Sequence, residues 1–348
     1  MLRIETHDRF DFSGDAYRAL FDRSNATAFQ HPIWLDAFYQ RLPNQRGAEP
    51  LIVTLHENDR LVGLLSLIRR RKCGLALVEA HDLGVSDYAA PVLDTGARSV
   101  LESNRDLRAG IRRAIGRCDL FRIRPIRDEH IADWKLLLGG EPVALDFSAH
   151  AVALASPMDE WRKAHVDRKL SSQYLRKAKR WRKQHDVELK RLGNPNAIND
   201  AVRKLADLRE GRFEGDPIQS DFVCDFYADV AVRGAASGFA ETWLMSSDGE
   251  TAAIVFGLTH AGSFLYVLIG ADYDDFGRHS PGLQMYDGII EDWMGRGGTS
   301  FDFTIGDESF KMQFGTEATE MSALLIPQGL AGRLAARLLA RRLGVKES

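Results

Sequence analysis

One order of elements occurs twice in this chain, and it limits the available folds more than any other feature. Residues 50–57, a turn at Asn58 and Asp59, and residues 60–68 predict a β-hairpin, because two strand-forming runs flank a turn pair. Residues 241–246, a turn at Asp248 and Gly249, and residues 251–259 repeat the pattern. A further strand follows each hairpin (75–83; 263–270), then an Asp-Tyr pair in a loop, Asp87-Tyr88 and Asp272-Tyr273. Each half continues with a helix and one more strand, 99–116 with 120–126 and 281–296 with 300–304. The recurrence, about 190 residues apart, predicts two α+β domains of related topology. The length agrees, since 348 residues at roughly 150 per domain give about two.

Composition enters mainly through what it excludes. A chain that is 45% hydrophobic and 27% charged is globular rather than disordered or fibrous. Lys+Arg 46 against Asp+Glu 49 gives a net charge of -3, so neither a uniformly basic nucleic-acid coat nor an acidic tail fits. The charge is uneven, however. From Arg162 to Lys183 there are ten Lys/Arg and one acid, Asp167. Leu170, Tyr174, Ala178 and Trp181 form one apolar stripe in that run, which predicts a long amphipathic helix. Ser156 as N-cap and Pro157 at the first helical position mark its start.

The expected division is therefore an N-terminal domain 1–155, a connecting basic helix 156–185, a second domain 186–327 and a terminal amphipathic helix 328–348. Helices near 197–211 and 221–233, with a strand at 186–192, lead into the second hairpin. The tail pairs leucines with arginines and has two readings: a peripheral contact with a membrane surface, or Leu330, Leu334 and Leu338 docked on their own domain. The N-terminus is acidic where an export signal would be basic, and no apolar run approaches the roughly 18 residues of a membrane span. Cys73, Cys118 and Cys224 are odd in number and widely spaced. They read as free thiols of a cytoplasmic protein, without a disulfide framework or a cysteine zinc site.

The common catalytic signatures, H-E-x-x-H, the Walker loop, G-x-S-x-G and a strand followed by G-x-G-x-x-G, are absent from the sequence. Histidines do not fall at metal-ligand spacing, so no metal is expected, and a lone residue such as His260 reads as structural. The strand-to-helix junction at 270–285 is the strongest positive feature. Ser280 caps, Pro281 needs no N–H partner, and Gly282 leaves the backbone donors approachable. With Arg278 and His279 beside it, that end suits a phosphate or pyrophosphate, or else is an ordinary capped helix. Asp302 sits in an apolar strand between Phe301 and Phe303, with Asp307, Glu308 and Lys311 just beyond. It is either structurally paired or a functional acid.

Taken in order, Phe29-Gln-His-Pro-Ile-Trp34, Val85-Ser-Asp-Tyr88, Leu175-Arg-Lys-Ala-Lys-Arg-Trp181, Ser280-Pro-Gly-Leu283, and Phe301-Asp-Phe303 with Gly306-Asp-Glu and Phe310-Lys311 resemble a bacterial family. It is the acetyltransferase-like family associated with cellulose and exopolysaccharide biosynthesis, within the GNAT superfamily of N-acetyltransferases. The layout is also similar to the Fem-type peptidoglycan aminoacyl-transferases. The resemblance implies two tandem GNAT-like domains, each a mixed, mostly antiparallel sheet flanked by helices, with the acyl-donor site in the second. It implies an acyl-CoA-dependent N-acyltransferase, with acetyl-CoA or another acyl-CoA as co-substrate and a small amine or an envelope or polysaccharide precursor as acceptor.

By position, Arg278, Ser280, Gly282 and Leu283 would hold the coenzyme A pyrophosphate. The segment Gly277-Arg-His-Ser-Pro-Gly282 departs from the usual Arg/Gln-x-x-Gly-x-Gly/Ala loop. Phe310 stands where GNAT enzymes often carry a tyrosine acid. Lys311 becomes the candidate for stabilising the developing oxyanion, unless it only pairs with Asp307 or Glu308. Asp302 or Asp272 is the candidate base, and Asp87, Tyr88 and Tyr273 are the candidate acceptor-binding residues. Two alternatives stand beside this reading: a Fem-type enzyme using aminoacyl-tRNA along the basic run, and a degenerate, non-catalytic pair serving as a binding module.

Overall fold

The computed structural model describes residues 2–155 and 157–342. Ser156, expected as an N-cap, and residues 343–348 of the expected terminal helix lie outside the described residues. The chain forms two compact units, Met1–Ser148 with Thr319–Ser348, and Ala149–Ala318.

In unit 1 the strands are β1 (Leu2–His7), β2 (Ala48–Glu57), β3 (Arg60–Lys72), β4 (Leu75–Ala80), β5 (Val92–Leu93) and β6 (Leu120–Arg127). The β2–β3 turn forms where both sequence readings placed it, at Asn58 and Asp59 with φ of 48° and 65°, the left-handed pair a tight hairpin requires. The sheet runs β1-β2-β3-β4-β6 and is closed by the strand Glu317–Pro327. All pairings are antiparallel except β4 with β6, which is parallel. Leu55, Val62, Leu65, Ile111, Phe121 and Trp134 are among the residues filling its core.

Unit 2 contains β7 (Pro142–Ala153), which pairs through its last residues, then β8 (Val187–Arg191), β9 (Ala240–Ser247), β10 (Glu250–His260), β11 (Ser263–Ala271) and β12 (Ser300–Ile305). Its order is β8-β9-β10-β11-β12-β7. Again every pairing is antiparallel except one, β11 with β12. The two units therefore repeat one pattern of pairings, as the doubled element order predicts. The sixth strand of each is contributed by the other module. The strand after the first module, β7, pairs with β12, and the strand after the second, Glu317–Pro327, pairs with β6.

That exchange alters the expected boundaries. The compact unit begins at Ala149 rather than at 156, and residues from Thr319 onward cluster with unit 1. The basic segment is part of unit 2, not a separate connector, and it is two helices, Met158–His165 and Arg168–Gln184. The break has local causes. Val166 turns to extended geometry, the Asp167 N–H donates to the Gln313 carbonyl at 2.7 Å, and the Asp167 carboxylate caps the second helix through Leu170 N at 2.7 Å.

The stripe Tyr174, Ala178 and Trp181 is buried as predicted, with Leu170 packed beside it. The single helix expected at 99–116 is likewise two, Arg98–Ser103 and Leu107–Ile115. The terminal helix, Gly329–Arg342, inverts the docked reading. Ala335, Ala336 and Leu339 pack on Leu77 and Leu120, while Leu330, Leu334 and Leu338 are exposed. No helix among the described residues is long and apolar enough to cross a membrane.

Candidate functional site

The parallel pair in unit 2 is joined over only three register positions, Ser263 with Ser300, Phe264 with Phe301 and Leu265 with Asp302. Beyond that point β11 continues to Ala271 without a partner on that side. Tyr266, Val267, Leu268 and Ile269 are consequently half-buried in the middle of a sheet. A bulge at Val267 interrupts the β10–β11 register between Phe256 and Gly257, which re-aims backbone groups at the opening. On the other side, Thr304 takes a left-handed φ of 56°. Its hydroxyl donates to the Tyr266 carbonyl at 3.0 Å, and its N–H donates to Asp302 Oδ1 at 2.7 Å.

The helix Pro281–Gly295 starts directly after the loop that follows β11. Ser280 is its N-cap at φ 56° and makes no side-chain cap bond. Its hydroxyl instead accepts from Lys177 Nζ at 2.8 Å. The first intrahelical donor is Gln284 N, to the Ser280 carbonyl, so the N–H groups of Gly282 and Leu283 precede the helical ladder. Gly282 is required here, since a Cβ would stand 3.0 Å from the Tyr273 hydroxyl and 3.5 Å from Ile269. Arg212 lies over the Tyr273 ring at 4.5 Å. Arg278 Nε donates to His279 Nε2 at 2.9 Å, and the His279 ring stacks on Trp181 with centroids 4.5 Å apart. Burial, then the neighbouring Arg278, His185, Arg180 and Lys177, hold the His279 pKa below its usual value. That keeps the ring neutral and able to accept.

The basic helix is fixed against this one through Asp287. Arg162 donates to both Asp287 oxygens at 3.0 Å, and the Tyr174 hydroxyl donates to Oδ1 at 2.7 Å. Arg176, Lys177, Lys179 and Arg180 remain exposed.

At the end of β12, Lys311 is 1% exposed. Its Nζ donates to the Ile305 carbonyl at 2.6 Å and lies 2.9 Å from Glu308 Oε2. An ammonium has three donors, and these contacts use two. His150, on β7, meets Asp307 Oδ1 at 2.8 Å through Nε2 and Thr316 Oγ1 at 3.2 Å through Nδ1. Beneath lies an aromatic layer in which Phe310 stacks on Tyr286 with centroids 5.3 Å apart, and Tyr266 meets Tyr286 edge-on at 5.1 Å. Burial raises the pKa of both tyrosines, so they stay protonated.

The structure thus brings Arg278, Ser280, Gly282, Leu283 and Tyr273 together at one helix end, and places Lys311 at the end of β12. Asp302 and Asp272, the expected bases, serve the backbone. Asp302 holds the Thr304 turn. Asp272 caps residues 273–276 through the N–H groups of Asp274 and Asp275 at 3.1 and 3.0 Å. Asp87 and Tyr88 lie in unit 1. Tyr88 is 1% exposed, with Phe29 edge-on and Arg127 over its ring, so that pair packs within its own unit. Sequence reading did not find His150, Tyr266, Tyr286, Lys177 or Arg212 as site residues. No local spacing links them, and only the sheet register and helix docking do.

Residues 168–312 match the family model described as an acetyltransferase (GNAT) domain. No curated protein matches the chain. Among solved structures, FemX is similar at 11% identity with a TM-score of 0.63, covering 97% of this chain and 100% of that one. L-PGS from Bacillus licheniformis is similar at 12% identity with a TM-score of 0.57, covering 96% and 97%. A tandem GNAT protein from the clavulanic acid biosynthesis pathway is similar at 13% identity with a TM-score of 0.51, covering 95% and 99%. At these identities the likeness concerns the fold. The chain has the mixed α+β, mostly antiparallel fold of tandem GNAT-like proteins, and within it residues 168–312 form a GNAT-type acyltransferase domain.

Proposed function

We propose that the protein is an acyl-CoA-dependent N-acyltransferase whose acyl-donor site is the opening between β11 and β12 of unit 2. The observation that carries this reading is the strand pair that parts after Leu265 and Asp302 beside a helix N-terminus backed by Lys177 and Arg278. A pyrophosphate suits such an end, because backbone N–H groups and cations converge there. Gly282 and Leu283 supply the N–H groups, and Arg278, Lys177 and Arg212 supply charge.

A thioester tail laid along the unpaired edge of β11 would meet backbone groups re-aimed by the bulge at Val267. In the transfer, the amine nitrogen bonds to the acyl carbon and the carbon–sulfur bond breaks. The amine loses a proton and the thiolate takes one up. Lys311 stabilises the developing oxyanion with its remaining donor, in surroundings where charge acts strongly. Glu308, 58% exposed at its side chain and paired with Lys311, is better placed than Asp302 or Asp272 to accept the amine proton. The acceptor is a small amine or an amine-bearing envelope or polysaccharide precursor, with Tyr273 at the mouth.

A second reading, transfer from aminoacyl-tRNA, has support from the exposed cations of the helix Arg168–Gln184 and from likeness to FemX along the whole chain. Calorimetric titration of the full chain with acetyl-CoA tests the first reading. Binding is expected, with affinity lowered about tenfold or more by Gly282→Val. Lys311→Met should keep binding while lowering transfer about a hundredfold. Absence of acetyl-CoA binding, together with a salt-dependent tRNA mobility shift, would replace the first reading by the second.

A further inference from the structure

Unit 1 contains a second polar cavity, separate from the opening in unit 2. Its volume is about 120 Å³, and it is lined by Arg46, Arg70, Arg122 and Arg124 with Glu79 and Asp82. Arg70 comes from β3, Glu79 from β4, and Arg122 and Arg124 from β6. Arg122 and Arg124 are two residues apart on one strand, so both side chains project to the same face. Four guanidinium groups meet two carboxylates.

The carboxylates do not satisfy the guanidinium groups. Glu79 is 4% exposed; it lies 2.9 Å from Arg70 Nε through Oε2 and pairs with Arg122 through Oε1. Yet the buried Nε atoms of Arg70, Arg122 and Arg124 find no acceptor in hydrogen-bond alignment among the described residues, and neither does Glu79 Oε1 a donor. Asp82 Oδ1 is taken by the Gly84 N–H at 2.9 Å, and burial raises its pKa despite Arg124 and Arg122 nearby. Buried, unaligned N–H donors of several guanidinium groups are costly. A tetrahedral oxyanion answers that cost with several acceptors at once, which the planar forks of arginine engage in pairs. The volume fits: at about 30 Å³ per water, the cavity holds a few waters or one phosphoryl group, and no sugar or base.

We propose that this cavity is a binding site for a phosphoryl group, carried as free phosphate or as the phosphorylated end of a molecule that otherwise stays outside. The site lies wholly in unit 1 and stands whether or not unit 2 binds acyl-CoA.

The test is calorimetric titration of the full chain with inorganic phosphate and with a simple phosphate monoester, against chloride at matched ionic strength. Wild type should bind phosphate, and Arg124→Gln should weaken that binding about tenfold or more while leaving acetyl-CoA titration as in wild type. Tighter binding of the monoester assigns a phosphorylated molecule, and tighter binding of phosphate assigns the free ion. No phosphate binding by wild type, or equal binding by Arg124→Gln, overturns the site. If Arg124→Gln fails to fold, crystals of wild type soaked in tungstate decide the matter. Density between Arg122 and Arg124 supports the site, and density only elsewhere overturns it.

Discussion

The parallel strand pairs of the two units begin alike and end differently. In unit 1, β4 and β6 are joined at Leu77 with Leu120, Val78 with Phe121 and Glu79 with Arg122, the same three-step contact as in unit 2. There β4 stops at Ala80, and the chain itself fills the space beyond. The Ala89 N–H donates to the Pro125 carbonyl at 2.7 Å, and Trp134 Nε1 donates to the Ala89 carbonyl at 3.0 Å. Gln30 Nε2 donates to the Tyr88 carbonyl at 2.9 Å, and Trp34 Nε1 donates to Ser86 Oγ at 3.2 Å. In unit 2, β11 runs six residues past its last pairing, from Tyr266 to Ala271, and a helix N-terminus follows. One topology has thus been closed with side chains and the other left as an opening. Difference in function between the units resides in the loop after the fourth strand rather than in the sheet.

If the loop 81–91 is a plug, shrinking what holds it should cost far more than trimming the open edge. Trp34 is 0% exposed and meets Phe29 edge-on with centroids 5.0 Å apart. Trp34→Ala is expected to destabilise by about 3–5 kcal/mol, through lost burial and the cavity left behind. Val267→Ala, half-buried on the open edge, should cost about 1 kcal/mol or less. Urea unfolding of both variants checks this. Equal losses would mean that the β11 edge is packed as tightly as the plug and is no opening.

Acid should separate the units next. His81 is 2% exposed in the plug, with Nε2 2.9 Å from the Phe29 carbonyl and Nδ1 2.8 Å from Ser66 Oγ. Burial drives its pKa from 6.5 down to about 4, against the pull of the Phe29 and Ser66 carbonyls, which favour the protonated ring. The unfolded chain therefore takes up a proton near 6.5 that the folded chain refuses until about 4. Stability is complete above pH 6.5 and falls by about 3 kcal/mol as pH drops to about 4. His81→Gln should flatten that slope in a pH series of unfolding midpoints, and an unchanged slope would remove His81 as its origin.

The sequence made the two units visible because hairpins are local. Asn58-Asp59 and Asp248-Gly249 occupy the left-handed turn positions that their residue types favour, and both β4 and β11 were legible as strands. The exchange of β7 and Glu317–Pro327 was not legible, since neither strand pairs with its sequence neighbours, and register between distant strands leaves no local pattern. The donor-side residues Arg278 to Leu283 were readable from Ser-Pro-Gly as a helix start. The aromatic layer of Tyr266, Tyr286 and Phe310 arises from packing among a strand and two helices. Asp302 and Asp272 looked chemical for the same reason that they are structural: a carboxylate among apolar or turn residues needs donors, and here backbone N–H groups supply them.

The smallest expected effect concerns the one place where unit 1 leaves large apolar side chains outside. In the terminal helix, Gly332 approaches the chain so closely that a Cβ would stand 1.8 Å from the Asp119 carbonyl oxygen. Leu330, Leu334 and Leu338 are 83%, 63% and 53% exposed, with Arg333 and Arg337 exposed on the same helix. A leucine that is mostly solvated in the folded chain loses little when it becomes polar. Leu334→Gln should therefore shift the unfolding free energy by no more than about 0.5 kcal/mol. Gly332→Val, by contrast, must push the helix off the strand ends and expose Leu77 and Leu120. If Leu334→Gln were as damaging as Gly332→Val, the leucine face would have to be covered in solution, and unit 1 would no longer be the unit that closes on itself.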